Sequence, residues 1–173
     1  MPFFSLTCLI FLIMLLSKAA LHKLCNFAEF KGFVADYALM PRPWVPLVAT
    51  AILGSELGAV LMLVLPPWRT VGLGVTIGLL GIYATAMGIN LWRGRIQLEC
   101  GCGSLPQSLR ASLIVRNGVL ATLAVLPLQG GLPQALSSQD MPIVLGGGLF
   151  LFVMYLLWEQ ADSNRVAIQK LSS

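Results

Sequence analysis

Cys100 and Cys102, one residue apart, are the residues of this chain best placed to do chemistry. They flank Gly101 in the polar stretch Arg93-Gly94-Arg95-Ile96-Gln97-Leu98-Glu99-Cys100-Gly101-Cys102-Gly103-Ser104-Leu105-Pro106. A disulfide needs Cα atoms within about 7 Å. Two residues along the chain meet that limit wherever the backbone turns, and Gly101 and Gly103 favour turning. So short a bridge closes a strained ring, and strained bridges are the more readily reduced. The pair suits a bond that cycles. Arg93 and Arg95 favour a thiolate electrostatically where the loop folds back, and Glu99 opposes them. Two other roles stay open, inert loop thiols and part of a metal site. Metal is the least favoured, because a site wants about four ligands and His22 is the sole histidine. No metal is expected. Cys25 is a further candidate redox thiol, able to exchange electrons with the pair, or equally a small apolar residue. Cys8 is expected to be packed away, as free cysteine usually is.

Glu56 is the other chemical anomaly. It lies near the middle of an apolar run, where an ionised carboxylate is costly unless paired or protonated. Lys18 and Arg116 are the cations expected to reach it, with Asn90 and Asn117 completing a polar cluster at the same level. Such a cluster either fixes helix registry as a buried ion pair or handles protons for thiol or quinone chemistry. No cofactor is required by these residues, and a quinone stays open.

The elements that must position these groups follow from composition. Hydrophobic residues make up 57% of the 173-residue chain and charged residues 10%, against about 25% charged in a soluble domain. Mean hydropathy is +0.85. That excludes a solvated globular enzyme, a disordered chain and a collagenous one. The net charge of +4 does not indicate nucleic acid, since the lysines and arginines are scattered singly and form no phosphate-binding patch.

A bilayer core needs about 20 apolar residues per helix, and five segments qualify: 3–21, 44–65, 71–91, 111–128 and 142–158. The fold expected is an all-α integral membrane bundle of four to five transmembrane helices, forming one domain. Pro66-Pro67-Trp68-Arg69-Thr70 forces a helical hairpin between the second and third spans. Trp44, Trp68 and Trp92 fall at span ends, where indole favours the interface. The first span lacks both a basic n-region and an A-x-A site, so it reads as a retained helix rather than a signal peptide. In the first loop Phe27, Phe30, Phe33, Val34 and Tyr37 recur at helical spacing, which predicts an amphipathic interfacial helix. The second long loop, 92–110, carries the cysteine pair. Five spans put both loops and the tail on one side of the membrane.

The ordered set Asp36-Tyr37-Ala38-Leu39-Met40-Pro41, Glu56, Asn90-Leu91-Trp92-Arg93-Gly94-Arg95, Cys100-Gly101-Cys102 and Arg116-Asn117 resembles the methylamine utilisation protein MauE family, which groups with DoxX-like redox-associated membrane proteins. The similarity runs from about Lys18 to Leu126. Family members often follow the cysteine pair with an aromatic residue and glycine, where this chain has Gly103-Ser104. The resemblance implies an inner-membrane accessory protein for maturation of the disulfide-rich small subunit of methylamine dehydrogenase, a periplasmic quinoprotein. It also implies a thioredoxin-like, MauD-like exchange partner. In role the family is similar to the quinone-linked disulfide generators DsbB and vitamin K epoxide reductase, which use C-x-x-C. A non-catalytic scaffold for the same partners, or a DoxX-like quinone-linked protein unrelated to methylamine, are the alternatives.

Charge placement pulls the other way. Lys23, Lys31, Arg42, Arg93, Arg95, Arg110, Arg165 and Lys170 fall on the side of the long loops, and Arg69 alone on the opposite side. The positive-inside rule then places the cysteines in the cytoplasm, where thiols stay mostly reduced.

Overall fold

The computed structural model describes residues 2–95, 110–130 and 140–171. Six α-helices occupy them: α1 (Pro2–Cys25), α2 (Phe27–Asp36), α3 (Val45–Val64), α4 (Arg69–Trp92), α5 (Ala111–Gly130) and α6 (Met141–Leu171). No strand occurs among the described residues. All but α2 are long and apolar enough to cross a membrane. Only helices satisfy every backbone group within a segment in lipid, apart from closed barrels. The all-α membrane fold is therefore as expected, with five spans.

Local chemistry sets the helix ends. Leu65 is extended (ψ 115°) ahead of Pro66, as a residue preceding proline should be. A single 3-10 turn, Pro66–Trp68, then leads straight into α4, so the proline pair makes the hairpin the sequence required. The α3–α4 contact is close at Gly72, where a Cβ would lie 3.0 Å from Leu63 N and from Met62 Cβ. Small residues let helices approach in this way where lipid supplies no hydrophobic drive. α4 ends in a Schellman cap. Gly94 takes φ +72°, its N–H reaches Leu91 O, and Arg95 N–H reaches Asn90 O, so two orphan carbonyls are satisfied.

Helices α1, α3, α4 and α5 close a ring, each packing on the next, and α6 lies outside it against α1. Leu9, Leu12 and Leu16 of α1 meet Leu63, Leu73, Leu80 and Leu120 in the core. Gly147 and Gly148 seat α6. A Cβ on Gly148 would come within 2.5 Å of Ile10 Cγ2. Tyr37, just past α2, joins Met87 and Leu113 in a smaller cluster that holds α2 over α4 and α5.

Two boundaries differ from expectation. α1 runs through Lys23 to Cys25 instead of stopping near Leu21, because nothing from His22 to Cys25 breaks a helix and Lys23 is turned inward. α6 continues past Trp158 to Leu171, since no proline or glycine follows Trp158 to end it. Withdrawing Lys23 from the loop-side cations leaves seven of them against Arg69, so the charge bias keeps its sign.

Candidate functional site

Glu56 is buried, as its place in α3 demanded, but its partner is Lys23. The Lys23 ammonium donates to Glu56 Oε1, and their side chains are 2% and 1% exposed. Tyr83 of α4 donates its hydroxyl proton to the same oxygen at 2.5 Å, and accepts from Lys23 Nζ at 3.2 Å. The ammonium also lies 5.2 Å from the Phe30 ring centre and 4.8 Å from that of Tyr83, within cation–π range. α1, α2, α3 and α4 therefore each contribute a side chain. Helical side chains lean toward their own N-terminus. The lysine near the end of α1 thus points into the bundle, and Tyr83 reaches back toward the level of Glu56.

The expected pairing of Glu56 with Lys18 and Arg116 is corrected by this geometry. Lys18 and Lys23 are five residues apart, about 140° around a helix, so they face different neighbours. Lys18 bonds Glu159 of α6 at 2.7 Å, and Arg116 Nη1 stands 3.8 Å from the same carboxylate. The anticipated single cluster is two. Asn90 and Asn117 are buried but join neither acid. Asn90 Nδ2 donates to Ala86 O at 3.2 Å, and its Oδ1, like Asn117 Nδ2, has no hydrogen-bond partner among the described residues.

Beside Lys23 lies a cavity of about 120 Å³ between α2, α3 and α4. Phe30, Phe33 and Tyr37 roof it, Val48 and Ile52 of α3 form one wall, and Tyr83 and Met87 of α4 form another. The predicted apolar stripe of α2 thus faces this cavity.

Arg93 and Arg95 are placed by the far end of α2. Arg93 Nη1 donates to Ala38 O at 3.3 Å and Arg95 Nη1 to Asp36 O at 3.2 Å. Ala38 takes φ +46°, a left-handed conformation that costs a residue with a Cβ about 1–2 kcal/mol; it turns the chain at the point where its carbonyl meets Arg93. The root of the cysteine-bearing loop is thereby tied to the rim of the cavity. Cys100 and Cys102 themselves lie outside the described residues. Cys25 is exposed at the end of α1, and Cys8 is buried in its first third, as packing alone predicted. Among the described residues no three His, Cys, Asp or Glu side chains gather as metal ligands.

Sequence reasoning missed Lys23, Tyr83 and Glu159 as site residues. Lys23 had a usable signal, because the apolar pattern resumes at Leu24 and no breaker precedes it.

Five spanning helices around paired buried acids define a multi-pass membrane protein. Comparison with known proteins then gives its family. The family model described as methylamine utilisation protein MauE matches residues 1–130, and the chain belongs to that family. Relatives named methylamine utilization protein MauE include one from Paracoccus denitrificans, 36% identical over 75% of this chain and 70% of its own length. Another, from Methylorubrum extorquens, is 35% identical over 84% of this chain and 80% of its own. A third, from Paracoccus versutus, is 32% identical with the same two coverages. No solved structure matches significantly. Lys23, Glu56 and Tyr83 lie within the family-matched segment, and Glu159 lies beyond it.

Proposed function

We propose that this chain is an inner-membrane accessory protein of methylamine utilisation that assists maturation of the small subunit of methylamine dehydrogenase by thiol–disulfide exchange at Cys100 and Cys102. Membership of the MauE family carries the proposal, and the C-x-C pair supplies the chemistry. The anchoring of Arg93 and Arg95, the cations nearest before the pair in sequence, at the end of α2 supports it. In the exchange, the Cys100–Cys102 disulfide accepts two electrons and two protons from a dithiol and becomes a dithiol itself, while the donor becomes a disulfide. A thioredoxin-like protein is the partner class that performs such exchange. Cys25, Asn90 and Asn117 remain supporting candidates.

Exchange proceeds through a mixed disulfide. Cys100→Ser or Cys102→Ser should therefore trap a reductant-sensitive adduct with a thioredoxin-like partner on a non-reducing gel, and both variants should lose the ability to support growth on methylamine. Normal growth with both, and no adduct, would overturn exchange and leave a scaffold. Labelling of intact spheroplasts with a membrane-impermeant maleimide tests the side. Cys100 modified only after permeabilisation would remove direct exchange with a periplasmic substrate.

A further inference from the structure

We infer that the corner where α2 meets the end of α4 is a binding site for one anionic phospholipid of the bilayer. Its phosphate lies on Arg93 and Arg95, and its two acyl chains lie in the cavity beneath α2 and in a groove beside it. The site goes beyond the thiol chemistry proposed above and does not depend on it.

The cavity selects hydrocarbon. No polar surface faces it, so Lys23, Tyr37 and Tyr83 contribute only carbon to its wall. A polar head placed there would lose its hydration and gain no hydrogen bond, and apolar cavities of this kind stay dry. The volume of about 120 Å³ has room for a few methylene groups, taking each as about the 30 Å³ of a water in the liquid. Met40 and Met87 line it, and their unbranched side chains adapt to a chain that has no fixed shape.

A groove continues the same surface. It shares Leu39, Ile82 and Ala86 with the cavity and runs on past Thr85, Gly81 and Gly78 of α4. A Cβ on Gly78 or Gly81 would meet nothing within 4 Å, so this face opens toward the bilayer that α4 is long and apolar enough to cross. From residue 89 to residue 78 the groove follows about 16 Å of helix. That is the depth of one leaflet, half of a hydrocarbon core about 30 Å thick. Leu39, Ile82 and Ala86 thus form a ridge between two channels, as two chains on one glycerol require.

The charge stands at the matching end. Arg93 and Arg95 follow the loop-side end of α4, and each gives one donor to a carbonyl at the end of α2, Ala38 O and Asp36 O. A guanidinium has five N–H groups. Both side chains are exposed, and among the described residues neither pairs with a carboxylate. Ala38 adjoins Leu39 of the ridge, so the two cations sit at the head of both channels. Trp92 beside them is 87% exposed, and an indole at a span end marks the level of the head groups. Guanidinium grips phosphate bidentately, and a pair of cations favours a head group with net negative charge over a zwitterion.

The test uses the full chain in detergent micelles and phosphatidylglycerol carrying a diazirine on one acyl chain. Label should saturate and map to residues 30–40 and 78–89. Unlabelled phosphatidylglycerol should displace it about tenfold more effectively than phosphatidylcholine of the same chains. Arg93→Gln combined with Arg95→Gln should erase that preference. Equal displacement by the two lipids from the native chain would overturn the head-group assignment, whether or not the double variant accumulates. Ala86→Phe, on the ridge and bearing none of the charges, should abolish the label in residues 30–40. Label that never saturates, or that Ala86→Phe leaves unchanged, would reduce the lipid to ordinary bilayer contact and remove the site. Disulfide-linked dimers of Gly78→Cys in native membranes, absent from the wild type, would give the groove to a second copy of this chain. Cys100→Ser and Cys102→Ser should bind the lipid normally, which separates failure of this site from failure of the exchange reaction.

Discussion

The two buried acids of this molecule are held in opposite ways. Glu56 has one ammonium and one phenol, all gathered at a single carboxylate oxygen, and is sealed within the closed ring of helices. Glu159 has two cations, Lys18 and Arg116, on different oxygens, and sits where α6 lies outside that ring. Lys18 keeps 28% of its side chain exposed. The first cluster is balanced and inaccessible; the second sets two cations around one acid and is partly open. In low dielectric, a balanced pair is hard to break from one side, because what remains is an unpaired charge. An acid flanked by two cations at a more open site tolerates the loss of one of them. The enclosed pair is also the one beside a cavity.

This contrast is sharpest for removal of one partner. Glu56→Leu strands the Lys23 ammonium and should cost about 3–5 kcal/mol, read as a fall in thermal midpoint in detergent and in membrane accumulation. Glu56→Gln keeps an acceptor for Lys23 and should fall between wild type and Glu56→Leu. The double variant Glu56→Leu with Lys23→Met removes both charges and should recover much of the loss. Equal accumulation of the Leu and Gln variants would show that Lys23 does not depend on Glu56.

Tyr83→Phe falls between these and the second cluster. It removes one hydroxyl that donates to a buried carboxylate, a loss of about 1.5–3 kcal/mol, while the Phe ring keeps the cation–π contact with Lys23. At the second cluster, Lys18→Met should cost only about 1 kcal/mol, since Arg116 stays beside Glu159. A loss as large as that of Glu56→Leu would erase the distinction between the clusters. Differential scanning fluorimetry on both variants ranks them.

Much of the architecture was legible because lipid imposes simple rules. The uncharged runs, the Pro66-Pro67 break and the aromatic spacing of Phe27, Phe30 and Phe33 each forced an element that the structure contains. Glu56 was legible as buried for the same reason. Its partner was not, because a hydropathy reading ends a span where polar residues adjoin. His22-Lys23 looked like a boundary, yet a lysine can extend a span when a carboxylate on another helix receives it. Glu159 was hidden likewise behind Trp158. Tyr83 gave no warning, since tyrosine is ordinary in a span. Which helices neighbour one another is set by packing at points such as Gly72 and Gly148, and one sequence does not announce those contacts.

The placement of α6 against α1 also sets a timetable. Lys23 meets its acid 33 residues later in the chain, while Lys18 meets Glu159 only after 141. At ribosomal speeds of about 5–20 residues per second, that second interval is roughly 7–28 s. Through it, Lys18 lacks its carboxylate, while Lys23 and Glu56 have both already been made. Chaperones and quality-control proteases that recognise intramembrane charge have their opportunity in that interval, and the arrival of α6 ends it.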